Sequence, residues 1–335
     1  MRKIGLVGLG KMGVLHGAIV NALPDCRISA VCEREKFIVN MAKKILLNDV
    51  SYYVSCTSMM ENEALDAVFI TTSIRQHLPI IVEIAKAQRD ISLFVEKPLA
   101  ESADSARLAC ETVANLRGVH MVGFQKRYSP IYRHAKKLID EAAIGKPLFF
   151  MAHSYSSDLL REGKSWRSKK GTGGVLLDLA PHLIDLILWF FGDVKSVSAI
   201  TRSLYSREVE DFANASLVFE SGLTGQMNTC WSVRGFRLPE ISIEIYGDKG
   251  NMLVEDDMVK LEPGESTMNQ EPQVFYKQTF DTAVPFLVDQ REYTEEDMTF
   301  LDCINRGSEP GTSFSEAAKV NLLIDRIKKT ASGTI

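Results

Sequence analysis

The opening residues constrain the fold of this chain more than any other stretch. Lys3-Ile4-Gly5-Leu6-Val7 is a short apolar run of strand type; it feeds Gly8-Leu9-Gly10-Lys11-Met12-Gly13 and then a helix-forming stretch over 14–23. Strand, glycine turn and helix in that order suit one arrangement. The first glycine allows a tight turn, the second leaves the backbone open to close approach, and the third lets helix and strand pack together. The first N–H groups of the helix, with the positive end of its dipole behind them, then form a site for phosphate charge. A second predicted strand, 27–31, runs into Cys32-Glu33-Arg34. Glu33 thus stands about twenty residues past the third glycine, where an acid accepts from the ribose hydroxyls of a dinucleotide. Gly8, Leu9, Gly10, Lys11, Met12 and Gly13 are therefore expected to line a dinucleotide site, with Glu33 and Arg34 at its ribose end. Glu33 favours NAD because a carboxylate repels a 2′-phosphate; Arg34 either stacks on the adenine or leaves NADP as the lesser choice. A glycine turn in a sheet that binds no nucleotide is the alternative.

The alternation of strand and helix continues. A predicted strand over 65–70 ends at Thr71-Thr72-Ser73, whose hydroxyls can bond a cofactor near its nicotinamide side. His77 opens a predicted helix over 78–87 and is given at most a cofactor contact, a structural cap being the other reading. The apolar run 91–95 closes in Glu96-Lys97-Pro98. Proline stops both strand and helix, so Glu96 and Lys97 are held at the carboxyl end of a sheet strand, where open α/β sheets bind their ligands. A helix over 103–115 and a strand over 120–122 follow. This pattern predicts an α/β fold: a Rossmann-type doubly wound parallel sheet over residues 1–122.

After Gly123 the pattern changes. Phe124-Gln125-Lys126-Arg127-Tyr128-Ser129-Pro130 leads into a predicted helix over 131–142, and strand-like runs then recur at 147–155, 195–202, 212–220, 223–231, 240–247 and 251–255. They predict a large, mainly antiparallel open sheet in a second, α+β domain over 123–335. It is closed by helices over 295–306, with Thr294 capping and Asp297 reaching back, and over 315–331. The polar stretch 263–272 reads as an exposed loop. Strands 212–219 and 223–231 carry apolar residues on both alternations, Ala213, Ala215, Leu217 and Phe219 against Phe212 and Val218. A one-layer sheet with two apolar faces needs a second partner, so a homodimer or homotetramer is expected.

The second chemical stretch runs from Gly171-Thr172-Gly173-Gly174 to Asp185. Asp178, His182 and Asp185 stand at i, i+4 and i+7, so a helix lines all three along one face. Ionisable groups on an apolar helix are costly to bury without a use, and a carboxylate beside a histidine raises its basicity, as a general base requires. Satisfied polar contacts at a domain interface are the plain alternative. Metal binding is the third, and with no further shell of histidine or cysteine no metal is expected.

Composition excludes more than it proposes. A net charge of -4 over 335 residues gives no electrostatic reason to expect nucleic acid or an anionic membrane. Cys26, Cys32, Cys56, Cys110, Cys230 and Cys303 are scattered without metal-ligand spacing and read as reduced thiols. Met1-Arg2-Lys3 leads straight into a strand with no signal-like apolar region. The longest apolar stretch, 175–191, carries Asp178, Pro181, His182 and Asp185, which disqualifies it as a membrane span. A cytoplasmic location is expected.

Taken in order, the glycine turn, Glu96-Lys97-Pro98, Gly123-Phe124-Gln125-Lys126-Arg127-Tyr128, Trp166-Arg167 and the set Gly173-Gly174, Asp178, His182 and Asp185 resemble the Gfo/Idh/MocA oxidoreductases, the glucose–fructose oxidoreductase and inositol dehydrogenase family. The resemblance covers nearly the whole chain. It departs from the family pattern at Thr72-Ser73-Ile74, where Thr-Pro-Asn is usual, and at Gln125, where Asn is usual. It implies NAD-dependent hydride transfer to or from a hydroxyl of a sugar or cyclitol, and an oligomer interface on the large sheet. It further implies that Lys97 stabilises alkoxide charge, that His182 takes the hydroxyl proton and that Asp178 binds a neighbouring hydroxyl or tunes His182. Asp185 would orient the His182 ring, or serve as a structural acid. Gln125 joins the cofactor side, with Glu96 and Lys97. Arg127, Tyr128, Trp166 and Arg167 line the substrate side, where the arginines suit a phosphorylated, uronic or nucleotide-linked sugar. Lys97 and His182 are expected to converge across an interdomain cleft. The alternatives within the fold are a dinucleotide- or sugar-binding regulatory protein without turnover, and an imine or dihydrodiol oxidoreductase.

Overall fold

The computed structural model describes residues 1–45, 49–88, 90–161, 173–264, 272–277 and 291–332. They divide into two compact units, Met1–Phe124 with Tyr293–Asn321, and Gln125–Glu292 with Leu322–Ile335. The expected single boundary at 122 is thus corrected: the chain returns near its end and contributes a segment to the first unit.

The first unit is built on a six-stranded sheet of order β3-β2-β1-β4-β5-β6. Its strands are β1 (Arg2–Val7), β2 (Cys26–Cys32), β3 (Ser51–Tyr53), β4 (Ala67–Ile70), β5 (Ser92–Glu96) and β6 (His120–Gly123). Every pairing is parallel. β3 is only three residues long, Ser-Tyr-Tyr, and was not expected; so short a segment carries no readable alternation. The strand order reverses between β1 and β4, the place where such sheets open a ligand crevice at their carboxyl ends. β4 and β5 are buried along their whole length, as strands covered on both faces must be.

The returning segment fills the core of this unit. Phe300, on the helix Arg291–Arg306, is fully buried and packs edge-on against Phe69 of β4 and Phe94 of β5, with centroids at 5.4 and 5.7 Å. Phe69 and Phe94 stack on each other at 4.6 Å. Val122 donates its N–H to the Thr312 carbonyl at 2.8 Å, and Asn321 donates to the Ala100 carbonyl at 2.6 Å. The helix Arg291–Arg306 begins earlier than expected, and Asp297 does not reach back to a cap: it is fully buried in mid-helix.

The second unit carries an eight-stranded sheet of order β14-β13-β12-β11-β7-β10-β9-β8. β7 is Pro147–Tyr155, β8 Val194–Arg202, β9 Phe212–Phe219, β10 Thr224–Cys230, β11 Glu240–Gly247, β12 Gly250–Glu255, β13 Met258–Pro263 and β14 Gln273–Tyr276. The pairings are antiparallel except β7 with β10, which run parallel. The last two strands were not expected; the polar stretch read as a loop begins at Pro263, the end of β13, and its residues 265–271 lie outside the described residues. Helices Pro130–Asp140, Val175–Asp178 and Ala180–Phe191 pack on one face. That face is apolar by alternation, with Phe150 and Ala152 of β7, Ala215 and Leu217 of β9 and Ile243 and Ile245 of β11 all buried.

The helix Arg291–Arg306 holds the first unit together through Phe300. Phe300→Ala is expected to lower stability by about 3–5 kcal/mol. Urea unfolding would measure this, with amide exchange rising in β4 and β5; unchanged protection in those strands would show that the segment is peripheral.

Candidate active site

The glycine turn shows why each glycine is needed. Gly8 has φ +95°, and a Cβ there would meet Thr72 at 2.8 Å. A Cβ on Gly13 would meet the Gly8 carbonyl oxygen at 2.1 Å, so the first helix, Lys11–Ala22, can lie this close to β1 only with glycine there. Gly10 differs: a Cβ there meets nothing within 4 Å. It is the N-cap of that helix and supplies no side-chain cap, leaving the first N–H groups facing open space.

Beside this turn is a cleft of about 530 Å³ in the first unit, lined by Gly8, Gly10, Glu33, Arg34, Thr71 and Thr72 among others. Glu33 is fixed at its rim. Its carboxylate accepts from the Leu9 N–H at 2.8 Å and from the Glu35 N–H at 3.0 Å, so it is preset before any ribose arrives. The Thr72 hydroxyl is buried and has no hydrogen-bond partner among the described residues, which suits a bound ligand. Open N–H groups, a preset carboxylate and an orphan hydroxyl together fit a dinucleotide.

Three residues expected to touch the cofactor are otherwise engaged. Thr71 donates its hydroxyl to the Gly8 carbonyl at 2.8 Å and braces the turn. His77 is buried inside the helix Ile74–Ala87, with its ring nitrogens 3.1 Å from the Thr72 and Pro98 carbonyls. Burial pushes its pKa down, and the N–H of the neutral ring donates to one of these two carbonyls. Glu96 at the end of β5 accepts from the Lys97 N–H at 3.1 Å, and its other oxygen lies 3.0 Å from His16 Nε2. Lys97 itself, joined to Pro98 by a cis peptide, is half-buried at this strand end. Lys11 is exposed on the turn, with Leu9 and Met12 half-buried beside it.

His16 was missed from sequence. It faces the core from the first helix, and Nδ1 lies 2.8 and 3.0 Å from the two carboxylate oxygens of Asp297. One histidine in an apolar helix gives no sign of its partners 80 and 281 residues away.

In the second unit, Gln125–Tyr128 form one turn of 3₁₀ helix. Arg127, placed on the substrate side from sequence, is instead buried in a fork with Asp185: Nε donates to one carboxylate oxygen at 2.8 Å and Nη2 to the other at 2.7 Å. Asp185 thus binds the guanidinium, which supports its alternative reading as a structural acid. Tyr128 is buried with the Arg133 guanidinium 5.2 Å from its ring centroid, and Gln125 is buried. Trp166 and Arg167 lie outside the described residues.

The expected single helix under Asp178, His182 and Asp185 is two helices, Val175–Asp178 and Ala180–Phe191, parted at Leu179. Pro181 has no N–H to continue the ladder, so the first helix ends just before it. From Gly174 to Ile187, Asp178 and His182 alone are not fully buried. This strongly apolar stretch thus leaves its two chemical side chains half-buried among covered neighbours.

Arg127 and Asp185 form a buried charge pair, so losing one partner strands the other. Asp185→Ala should cost about 3–5 kcal/mol, and Arg127→Met with Asp185→Leu should recover most of it. Urea unfolding of the single and double variants checks this; an Asp185→Ala protein of native stability would return the residue to a catalytic role.

Comparison with known proteins agrees with the cleft. Residues 2–124 match the model of an oxidoreductase family with an NAD-binding Rossmann fold, and residues 132–253 match that of the GFO/IDH/MocA C-terminal domain. The chain is 25% identical over 338 residues to myo-inositol 2-dehydrogenase of Thermotoga maritima, covering 96% of this chain and 93% of that protein. It is 26% identical over 260 residues to the NAD(+)-dependent scyllo-inositol 2-dehydrogenase of Bacillus subtilis, covering 75% and 73%. Its fold matches that of a levoglucosan dehydrogenase in complex with NADH and levoglucosan, with a TM-score of 0.87 at 23% identity over 99% of this chain and 97% of that one.

Proposed function

On the premise that the chain belongs to the Gfo/Idh/MocA oxidoreductase family, we propose that it is an NAD-dependent dehydrogenase acting on a hydroxyl of a sugar, sugar derivative or cyclitol. The observation that carries the reading is the preset cleft, with Glu33 already bonded to the Leu9 N–H beside the open Gly10. Gly8, Gly10 and the start of the first helix would hold the pyrophosphate, and Glu33 the ribose hydroxyls. Bound there, NAD supplies the acceptor for the substrate's hydride. Glu33 disfavours the 2′-phosphate of NADP.

The chemistry belongs to three side chains. The Lys97 ammonium donates to the reacting oxygen and stabilises the negative charge that grows on it as the C–H bond breaks. His182 accepts the hydroxyl proton, and Asp178, four residues before it, binds a neighbouring hydroxyl or tunes the imidazole. Tyr128, Trp166 and Arg167 stay in the reading as substrate-side residues. The same reading makes the protein cytoplasmic, where its six free cysteines, five of them buried, stay reduced. Among the described residues no helix is long and apolar enough to cross a membrane.

Lys97→Met and His182→Ala are expected to fold, to bind NADH as the native protein does, and to lose turnover by about a hundredfold or more. Myo-inositol, scyllo-inositol and levoglucosan, assayed with NAD, are the first substrates to use, and NADH titration by fluorescence supplies the binding arm. A variant keeping more than about a third of native kcat would not fill its role.

The oligomer belongs to this reading as well. Away from the helices, the large sheet leaves Phe149 and Met151 of β7, Ile200 of β8 and Val218 of β9 between 36% and 48% exposed. Phe149 stacks on Tyr246 at 4.4 Å, so the patch is continuous across β7 and β11. We expect a homodimer or homotetramer through this face. Light scattering at micromolar concentration should show it, and Phe149→Glu with Met151→Glu should give a monomer; a native monomer would overturn the assignment.

A further inference from the structure

The mechanism above uses Lys97 but leaves unexplained the fully buried charges behind it. His16 lies between two carboxylates: Nδ1 is 2.8 and 3.0 Å from the oxygens of Asp297, and Nε2 is 3.0 Å from Glu96 Oε1. A bare ring nitrogen would set its lone pair against a carboxylate oxygen, so each of these contacts needs a proton. Asp297 and His16 are fully buried, Glu96 almost so. The second Glu96 oxygen accepts the main-chain N–H of Lys97 at 3.1 Å. An unbroken line of hydrogen bonds therefore runs from Asp297 through His16 and Glu96 to the backbone of Lys97.

We propose that His16 is a doubly protonated imidazolium that pins the Glu96 carboxylate, and through it the Glu96-Lys97-Pro98 turn, making His16 and Asp297 positioning residues for the Lys97 ammonium. This rests on the reading of Lys97 given above. Asp297 and Glu296 face His16 from the helix Arg291–Arg306, Glu96 faces it from β5, and the Phe69, Phe94 and Tyr293 rings close the remaining sides. Cys26 of β2 lies within the field of Asp297.

Neutral His16 would leave a carboxylate buried beside an acceptor, and neutral Asp297 would weaken the cation's stronger contact. Burial alone would push the imidazole pKa down; the two carboxylates outweigh it and hold the pKa well above 6.5. Burial pushes Asp297 up to about 6, so at neutral pH it is ionised opposite the cation. With its folded pKa raised, His16 contributes stability fully present below its unfolded value of about 6.5, and that contribution is lost as pH rises through the folded value.

The test uses the intact protein and does not depend on knowing the substrate. Side-chain ¹H–¹⁵N spectra, with His16→Gln identifying the signal, should show both His16 ring nitrogens protonated at neutral pH. In His16→Gln and in Asp297→Asn, amide exchange at Lys97 should rise by about tenfold or more. The β4 amides should stay protected, and NADH affinity should change by less than about threefold. A merely structural role would raise exchange in β4 along with Lys97. A neutral imidazole at pH 7, Lys97 exchange that follows β4 in both variants, or a stoichiometric metal ion in the cluster would each overturn the proposal. The outcome separates from that of the Lys97 reading: full turnover in Lys97→Met sinks the catalytic role while leaving the His16 measurements to stand or fall alone.

Discussion

The first unit depends on one close contact, that of the Gly13 backbone with the Gly8 carbonyl. No side chain fits between them, since a Cβ would sit 2.1 Å from the oxygen. That contact brings the helix Lys11–Ala22 down onto β1 and aims its first N–H groups along the strand ends. The same carbonyl accepts from Thr71, and the Gly8 N–H donates to the Cys32 carbonyl at 2.9 Å. The turn is thus tied to the ends of β2 and β4, its neighbours on either side of the strand reversal. Binding groups come from all three strand ends, and one compact turn fixes their spacing.

Once the turn is fixed, polar groups around it fall into two classes. Some are spent on the protein itself: Thr71 on the turn, His77 on two carbonyls, Glu96 on His16 and the Lys97 N–H. Others are left poised, as with the N–H groups after Gly10 and the Thr72 hydroxyl. Glu33 does both, since a carboxylate holding two backbone N–H groups keeps lone pairs for a ribose. Preorganisation of this kind lowers the ordering cost of binding.

Legibility in the sequence followed the range of the interaction. The glycine turn, the Glu33 strand end and most strands were readable because each is specified by neighbours within a few residues. The unit boundary was not: Phe300 enters the first core from more than two hundred residues beyond Phe69 and Phe94, and no local pattern announces such a return. The partners of Asp185 and Asp297 were hidden for the same reason. Each was assigned to a neighbour one turn away, His182 or a helix cap, whereas each bonds a side chain far off in sequence, Arg127 or His16. Helical periodicity also misled at Leu179, where one proline divides the helix that the i, i+4, i+7 spacing assumes.

The placement of the buried charges has a common logic in the two units. Burying an ion pair is costly and by itself a weak source of stability, but an established pair resists rearrangement because breaking it strands a charge. In the first unit the pair is Asp297 with His16, which hydrogen bonds link through Glu96 to the Lys97 N–H. In the second it is Arg127 with Asp185, one turn beyond His182 on the helix Ala180–Phe191, and the guanidinium also lies 5.6 Å from the Trp189 ring centroid. Lys97 and His182 are themselves only half-buried. Each unit thus sets a buried charge pair close to a half-buried residue, Lys97 or His182, to which the proposed function gives the chemistry. Apolar packing could fill the same space at less cost, but hydrogen-bond direction fixes orientation as well as volume, and a donor aimed at a developing alkoxide must be oriented before the charge appears.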